Sequence, residues 1–217
     1  MTDPRDLRAP SGFHNDEPLE RDDLRDDPIE QLRAWLADAE AAGVPLPNAM
    51  AVATAGSDGR PSVRQVLLRG IDERGLVFFT NYESRKGREL AENPSAGLVF
   101  LWKELDRQVA VRGGVEPVTG DESDAYFATR PRDAQLGAWA SRQSSVLAHR
   151  SELDAAVTAA DARFPGDVPR PPYWGGYLIT PDTFEFWQGR RHRLHDRFRY
   201  SRTSAGPGGW RIERLSP

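Results

Sequence analysis

The sequence predicts an α+β protein whose strands pair antiparallel into a closed or half-closed barrel of about six to eight strands, with helices at its periphery. Three observations carry this. Short β-rich runs follow one another through turns too brief for the crossover of a dozen or more residues that a parallel pair needs. Helical apolar spacing appears only in separate segments before, between and after those runs. The composition of the 217 residues, 38% hydrophobic and 29% charged, is that of a globular chain, and no apolar run approaches a membrane-spanning length.

Residues 1–26 alternate charge with Pro and Gly without an apolar period, and read as a mobile arm; residues 27–217 read as one domain. Asp27 caps a helix with Pro28 at its first position and Glu30 in the capping-box place. Ile29, Leu32, Leu36 and Ala39 share one face of it, and Gly43 stops it. Strands follow at 49–55 (AMAVATA), 62–68 (SVRQVLL) and 76–81 (LVFFTN), divided by turns at Gly56–Gly59 and Asp72–Gly75. Ser84–Asn93 reads as a short helix ended by Pro94, and 96–102 and 107–118 as two further strands. Thr119 and Glu122 form a second capping box, opening a helix through Tyr126 and Phe127. Beyond Pro131 a helical stretch contains Leu136 and Trp139, and another spaces Leu153, Val157, Ala160 and Phe164 helically. A Pro-rich link, DVPRPPYWGG (167–176), leads to the last strands, GYLIT, FEFWQ, DRFRY and WRIERL.

With no cysteine, disulfides and thiolate metal sites are excluded. The first residues, MTDPRDLRAP, lack a signal-peptide pattern, and a cytoplasmic protein is expected. A net charge of −4 argues against a general nucleic-acid binder. Arginine nevertheless crowds 60–88, 130–150 and 188–214, which suits small anionic ligands such as phosphates, or else a solvated arginine surface. GxGxxG, Walker A, HExxH and GxSxG motifs are absent. Of His14, His149, His192 and His195 only the last two are close, with no third ligand, so no metal site is expected. Phosphates would then be held by side chains on strands and short loops.

Four segments are candidates. In SVRQVLLRG, Arg64 and Arg69 stand among apolar residues; five apart in one strand they face opposite ways unless a bulge intervenes, and edge-strand charge is the alternative. FFTNYESRKG gathers Thr80, Ser84, Arg85 and Lys86 at a strand end and helix start, where hydroxyls, cations and backbone N–H groups suit a phosphate. An ordinary capped helix with a basic turn reads equally well there. The stretch 126–145 is dense in donors: Tyr126, Arg130, Arg132, Gln143, Ser144 and Ser145. Between 184 and 200, Trp187, Arg193, His195 and Arg197 suit a planar, anionic, heteroaromatic ligand, or alternatively form a basic hairpin with a core tryptophan.

Together, in order and spacing, these segments resemble the pyridoxine/pyridoxamine 5′-phosphate oxidase family from about residue 28 to Pro217. The specific matches are RQVLLR, FFTNYESRKG, LDRQV, YFATRPRDAQLGAWASRQSS, WGGY at 174–177, EFWQG with RLHDR, and WRIERLSP. The resemblance implies an FMN-binding split barrel working as a homodimer, with the flavin at the subunit interface. It implies that Arg64, Gln65, Val66, Leu67, Leu68, Arg69, Phe79, Thr80, Arg85, Lys86 and Gln108 contact FMN. Gln143 and Ser144 would come from the other subunit, and Trp187 and Arg197 would flank the isoalloxazine. The substrate phosphate would meet Arg69, Tyr126, Arg130 and Ala134. Arg193, Leu194 and His195 would lie over the pyridine ring, with Arg193 and His195 catalytic.

The implied reaction oxidises pyridoxine or pyridoxamine 5′-phosphate to pyridoxal 5′-phosphate and reduces dioxygen to hydrogen peroxide. Three positions depart from the family pattern. Arg69 stands where lysine is frequent, Ala134 where serine is common, and SGFHND offers Phe13 and His14 where an Arg and a Tyr often cover the substrate. The competing readings are a related oxidase of another substrate, of the phenazine-biosynthesis type, and a non-enzymatic flavin or pyridoxal-phosphate binder. The intact Arg130-Pro131-Arg132-Asp133 favours a vitamin B6 substrate over the first, and Arg193 with His195 argues against the second.

Overall fold

The structure, a computed structural model, describes residues 17–203 and 209–217; Phe13 and His14 lie outside them. Among the described residues five α-helices and nine strands alternate in the α+β manner expected. In chain order they are α1 (Pro28–Ala41), β1 (Ala49–Ala55), β2 (Pro61–Leu67), β3 (Gly70–Asp72), β4 (Gly75–Asn81), α2 (Arg85–Glu92), β5 (Ser95–Trp102) and β6 (Arg107–Pro117). Then come α3 (Gly120–Ala128), α4 (Arg132–Ala140), α5 (Arg150–Arg163), β7 (Trp174–Gln188), β8 (Asp196–Arg202) and β9 (Trp210–Arg214). The strands form one sheet in the order β2-β1-β5-β6-β7-β4-β3, with β8 pairing β7 and β9 pairing β8. The pairings β1–β2, β3–β4, β4–β7, β7–β8 and β8–β9 are antiparallel. No helix among the described residues is long and apolar enough to cross a membrane.

The chain falls into two compact units, each discontinuous in sequence, where the sequence reads as one domain. One comprises the residues up to Asn48 with Val99–Val111 and Asp182–Pro217; the other comprises Ala49–Leu98 and Arg112–Pro181.

In the first unit α1 buries Ile29, Leu32, Trp35 and Ala39. The expected face holds except that Trp35, not Leu36, is the buried member. Its ring meets Trp102 and Phe186 edge-on, at centroid distances of 6.5 and 5.2 Å, which uses the larger side chain where the core needs volume. Asp27 caps the helix through Ile29 N and Glu30 N, as its position predicts. On β7, Phe184 and Phe186 face this core while Glu185 and Trp187 take the opposite face, the alternation of a pleated strand.

The reading of 1–26 as a mobile arm needs correction over its described part. Residues 17–26 are anchored, because Leu19 and Leu24 are buried. Leu19 N donates to Asp196 at 3.1 Å, Arg214 donates to Leu19 O at 3.0 Å, and Tyr200 donates to Arg25 O at 2.8 Å. The apolar anchors here are two isolated leucines, too few to make a period in the sequence.

In the second unit β4 is buried on both faces, and α3, α4 and α5 pack around Phe127, Leu136, Ala160 and Trp174. Three local readings change. Arg69 lies beyond the end of β2, with its N–H donating to Val77 O at 2.8 Å, so strand parity does not relate it to Arg64. A short strand, β3, lies between the strand read at 62–68 and the turn read at Asp72–Gly75. GYLIT and FEFWQ are one 15-residue strand, β7, running through Pro181.

Candidate functional site

The run FFTNYESRKG folds as strand, tight turn and helix. β4 ends at Asn81, Ser84 caps α2 with its Oγ accepting from Gly87 N, and Lys86 follows in the first turn. Gly87 has no alternative here, because a Cβ on it would sit 2.0 Å from the Tyr82 carbonyl oxygen. The turn folds the Lys86 side chain back over the strand end, where it is only 7% exposed. Its Nζ donates to Gln143 Oε1 at 2.7 Å, Thr80 Oγ1 at 3.0 Å and Ser84 Oγ at 3.3 Å. Burial, and then the Arg64 charge, push its pKa down to about 8, against the pull of Glu89.

Lys86 is one of three cations lining a pocket of about 300 Å3; the others are Arg69 and Arg130. Gln65, Val66 and Leu67 form its β2 wall, and Phe79, Thr80, Tyr126, Gln143 and Trp174 complete the lining. No carboxylate lines it. Phe79 stacks on Tyr126 at 3.9 Å and on Trp174 at 5.6 Å, and the Arg130 guanidinium lies 4.6 Å over the Trp174 ring. Arg130 Nη1 is buried and has no hydrogen-bond partner. Burial, with Arg69 adding repulsion, disfavours its charge. A buried guanidinium N–H with no acceptor costs free energy until an acceptor arrives. The pocket therefore favours an anion with a planar, apolar body.

Ten of the residues singled out in the sequence thus meet at one pocket, and Trp174 joins them. Its signal was available in the sequence: a tryptophan beside the Gly175–Gly176 pair. Gly175 must lack a Cβ because the Tyr82 hydroxyl would lie 2.1 Å from it.

Others lie elsewhere. The Arg64 guanidinium does not line the pocket; it donates to Thr54 Oγ1 at 2.6 Å, to Val52 O at 3.2 Å, to Ser62 Oγ and to Glu89 at 3.4 Å. Leu68 is buried in the core, Ala134 on α4 is outside the lining, and Arg85 pairs with Glu89 at 2.8 Å. Arg132 ties α4 to the end of α5 through Asp161 at 2.7 Å and the Gly166 carbonyl at 2.5 Å. Gln143 and Ser144, which the resemblance implies reach the partner's flavin, are placed here beside α2. Both engage α2 of their own chain, Gln143 through Lys86 and Ser144 Oγ by accepting from Arg85 N at 3.2 Å.

Gln108, Trp187, Arg193, Leu194, His195 and Arg197 belong to the first unit. There Trp187 and Arg197 face each other across β7 and β8, and Arg197 is held by Glu185 at 2.9 Å. His195 packs 4.6 Å from Trp187, and its Nδ1 accepts the Arg190 N–H at 3.1 Å. That acceptor role fixes a neutral ring with its proton on Nε2. Burial, followed by the Arg193 and Arg197 charges, holds its pKa below the ordinary 6.5. His192 and Arg193 both adopt left-handed φ, 59° and 62°, and Ser144 does so at 73°. Backbone of this kind in non-glycine residues gathers at ligand-binding segments.

The family model "Pyridoxamine 5′-phosphate oxidase" matches residues 36–164, and "Pyridoxine 5′-phosphate oxidase C-terminal dimerisation region" matches 174–217. The chain belongs to the pyridoxamine 5′-phosphate oxidase family. Among curated relatives, the pyridoxine/pyridoxamine 5′-phosphate oxidase of Burkholderia multivorans is 56% identical over 199 residues, 92% of this chain and 93% of that one. The protein of the same name from Burkholderia thailandensis is 54% identical with the same coverage. Among solved structures, PhzG of Burkholderia lata with tetrahydrophenazine-1-carboxylic acid superposes with a TM-score of 0.86 at 37% identity, covering 93% of this chain and 98% of that one. A pyridoxamine 5′-phosphate oxidase-related, FMN-binding protein of Nostoc punctiforme reaches 0.68 at 19% identity, covering 85% and 97%. The fold is the split barrel that the resemblance implied.

Proposed function

We propose that the chain is an FMN-dependent oxidase that converts pyridoxine and pyridoxamine 5′-phosphates to pyridoxal 5′-phosphate, with dioxygen as acceptor and hydrogen peroxide as product. The observation that carries the reading is the Arg69–Lys86–Arg130 pocket: three cations, no carboxylate, an orphaned guanidinium N–H and a stacked aromatic wall. The donor set fits a flavin phosphate and a substrate phosphate. Lys86, Thr80 and Gln143 would hold the first, and Arg69, Tyr126 and Arg130 the second. FMN, when bound, supplies the hydride acceptor and the route to dioxygen.

The chain's own residues bind, orient and exclude water. Charge-assisted bonds from Arg69 and Arg130 fix the substrate by its phosphate. The Phe79–Tyr126–Trp174 stack shields that contact from solvent. His195 presents an Nε2–H donor rather than a base, and Arg193 adds a cation beside it. Trp187 and Arg197 would flank the flavin ring, as the family resemblance implies. The dimerisation-region match over 174–217 supports a homodimer.

The similarity to PhzG makes oxidation of a reduced phenazine carboxylate the second reading. The first is favoured because a pocket with paired arginines suits a phosphate dianion better than a carboxylate, and relatives at 53–56% identity carry the vitamin B6 name. The test is a peroxide assay on purified protein supplied with FMN. Peroxide release with pyridoxine 5′-phosphate, and none with a dihydrophenazine carboxylate, is expected; the reverse pattern installs the second reading. A preparation that neither contains nor takes up FMN overturns both.

A further inference from the structure

Glu89 stands behind the pocket rather than in it, and the function proposed above gives it no role. It lies one helical turn after Arg85 on α2, and its Oε1 accepts from Arg85 Nε at 2.8 Å. Its Oε2 accepts from Thr54 Oγ1 and Ser62 Oγ, each at 2.5 Å, and from Arg64 Nη2 at 3.4 Å. Thr54 and Ser62 are directly opposed in the β1–β2 ladder, so both hydroxyls of that cross-strand pair converge on one oxygen. The carboxylate is only 12% exposed. Burial raises its pKa, but donation from Ser62 and Thr54 and the Arg85 charge outweigh this and bring it down to about 2. It is therefore an anion at any working pH.

This one carboxylate joins α2, which carries Lys86, to β2, which supplies the Gln65–Leu67 wall of the pocket. The charges around the Lys86 ammonium are Arg64 from β2, Glu89 from its own helix, and Arg69 and Arg130 across the pocket. Its hydrogen-bond partners Thr80, Ser84 and Gln143 are neutral.

We propose that Glu89 is a positioning residue of the anion pocket: it sets α2 against β2, restrains Arg64 and Arg85, and supplies the negative charge that keeps Lys86 ready for a phosphate. This rests on the reading that Lys86 receives the flavin phosphate. A group that served only to dock the helix would affect stability. Glu89 also affects the protonation of a second residue, because the carboxylate opposes the repulsion that Arg64 exerts on the lysine.

The experiment is FMN binding, without turnover, followed by flavin fluorescence quenching between pH 6.5 and 10. In the wild type, affinity is expected to hold up to about pH 8 and to fall above it. In Glu89→Gln, which keeps the shape and one accepting oxygen but removes the charge and turns the other oxygen into an amide donor, the midpoint moves down by about half a pH unit or more. Ser62→Ala, which removes one hydroxyl and no charge, lowers Tm without moving the midpoint. Should Glu89→Gln not fold, Glu89→Asp replaces it, and its withdrawn carboxylate shifts the midpoint in the same direction. A variant profile that superimposes on the wild type overturns the proposal. A wild type with no alkaline midpoint overturns Lys86 as the phosphate ligand, and one that binds no FMN overturns the functional reading itself.

Discussion

Removing the Lys86 ammonium separates stability from ligand binding. Its pKa of about 8, against an ordinary 10.5, means that the folded, ligand-free protein holds the ammonium less favourably than water does, although the group stays charged at neutral pH. A shift of that size costs the charged form about 3 kcal/mol near neutral pH. Lys86→Met should therefore raise the Tm of the ligand-free protein while weakening FMN binding roughly tenfold to a hundredfold, the worth of one charge-assisted bond. Arg64 differs, although the resemblance groups the two together. Its donors are already taken by Val52, Thr54, Ser62 and Glu89, so Arg64→Ala should lower stability by about 1–3 kcal/mol and affect FMN less than Lys86→Met does. Thermal melts beside flavin titrations decide; an Arg64→Ala protein of unchanged Tm that loses flavin as Lys86→Met does refutes this division. His195 gives an acid limb. Its folded pKa is depressed, so the neutral donor form persists below pH 6.5 and is lost only as pH falls further. The kcat/KM profile for pyridoxine 5′-phosphate should stay level down to 6.5 and decline below it, and a limb centred above 6.5 contradicts the assignment. At this scale residue identities were legible in the sequence: Thr80, Lys86, Arg130 and Gln143 stand in runs whose donor density marks them. Glu89 was not, although Arg85–Glu89 is readable helical spacing, because its bonds to Thr54 and Ser62 cross 35 and 27 positions.

At the scale of elements, β7 shows where sequence reading stops. A proline within a β-rich run ordinarily ends the strand or places it at an edge. Here β4 pairs with β7 up to Ile179, and β8 pairs with it from Thr183, so Pro181 sits where the partner changes. The missing N–H falls at that handover, which no local pattern announces. Caps, by contrast, were legible, since Asp27, Ser84 and Thr119 each bond within three residues. Close backbone approaches are as invisible as the handover. A Cβ on Gly113 would lie 2.1 Å from the Thr180 carbonyl oxygen, whereas one on the adjacent Gly114 would meet nothing within 4 Å. Gly113→Ala should then cost about 1–3 kcal/mol through forced displacement of β6 or β7 backbone. Gly114→Ala should stay within about 0.5 kcal/mol of wild type. Equal effects in chemical denaturation would show that the two strands have slack at this point.

At the scale of the whole molecule, the resemblance supplied what periodicity could not. Alternation and turn spacing gave an antiparallel α+β chain; the split-barrel type came from motif order along the whole sequence. The dimer illustrates the same limit. The support for a dimer is the dimerisation-region match at 174–217, and light scattering at micromolar concentration should give the mass of two chains. Ligand linkage then joins that assembly to the residue chemistry. FMN at a hundred times its Kd should stabilise the protein by about 2.7 kcal/mol, which for a chain of this size is a Tm rise of about 5–10 °C. The size of the rise depends on pH, with a sign set by Lys86. As pH climbs through about 8, the ligand-free protein gains stability, because its buried lysine becomes the neutral form that the fold prefers. The complex gains nothing there, since the phosphate holds the lysine charged. Each pH unit above that point should therefore remove up to about 1.4 kcal/mol of the FMN-induced stabilisation. Lys86→Arg, charged throughout this range, should show a Tm rise that no longer declines from pH 8 to 10. A wild-type rise that stays constant, or a Lys86→Arg rise that declines in parallel with it, would mean that some other group takes up the proton on binding.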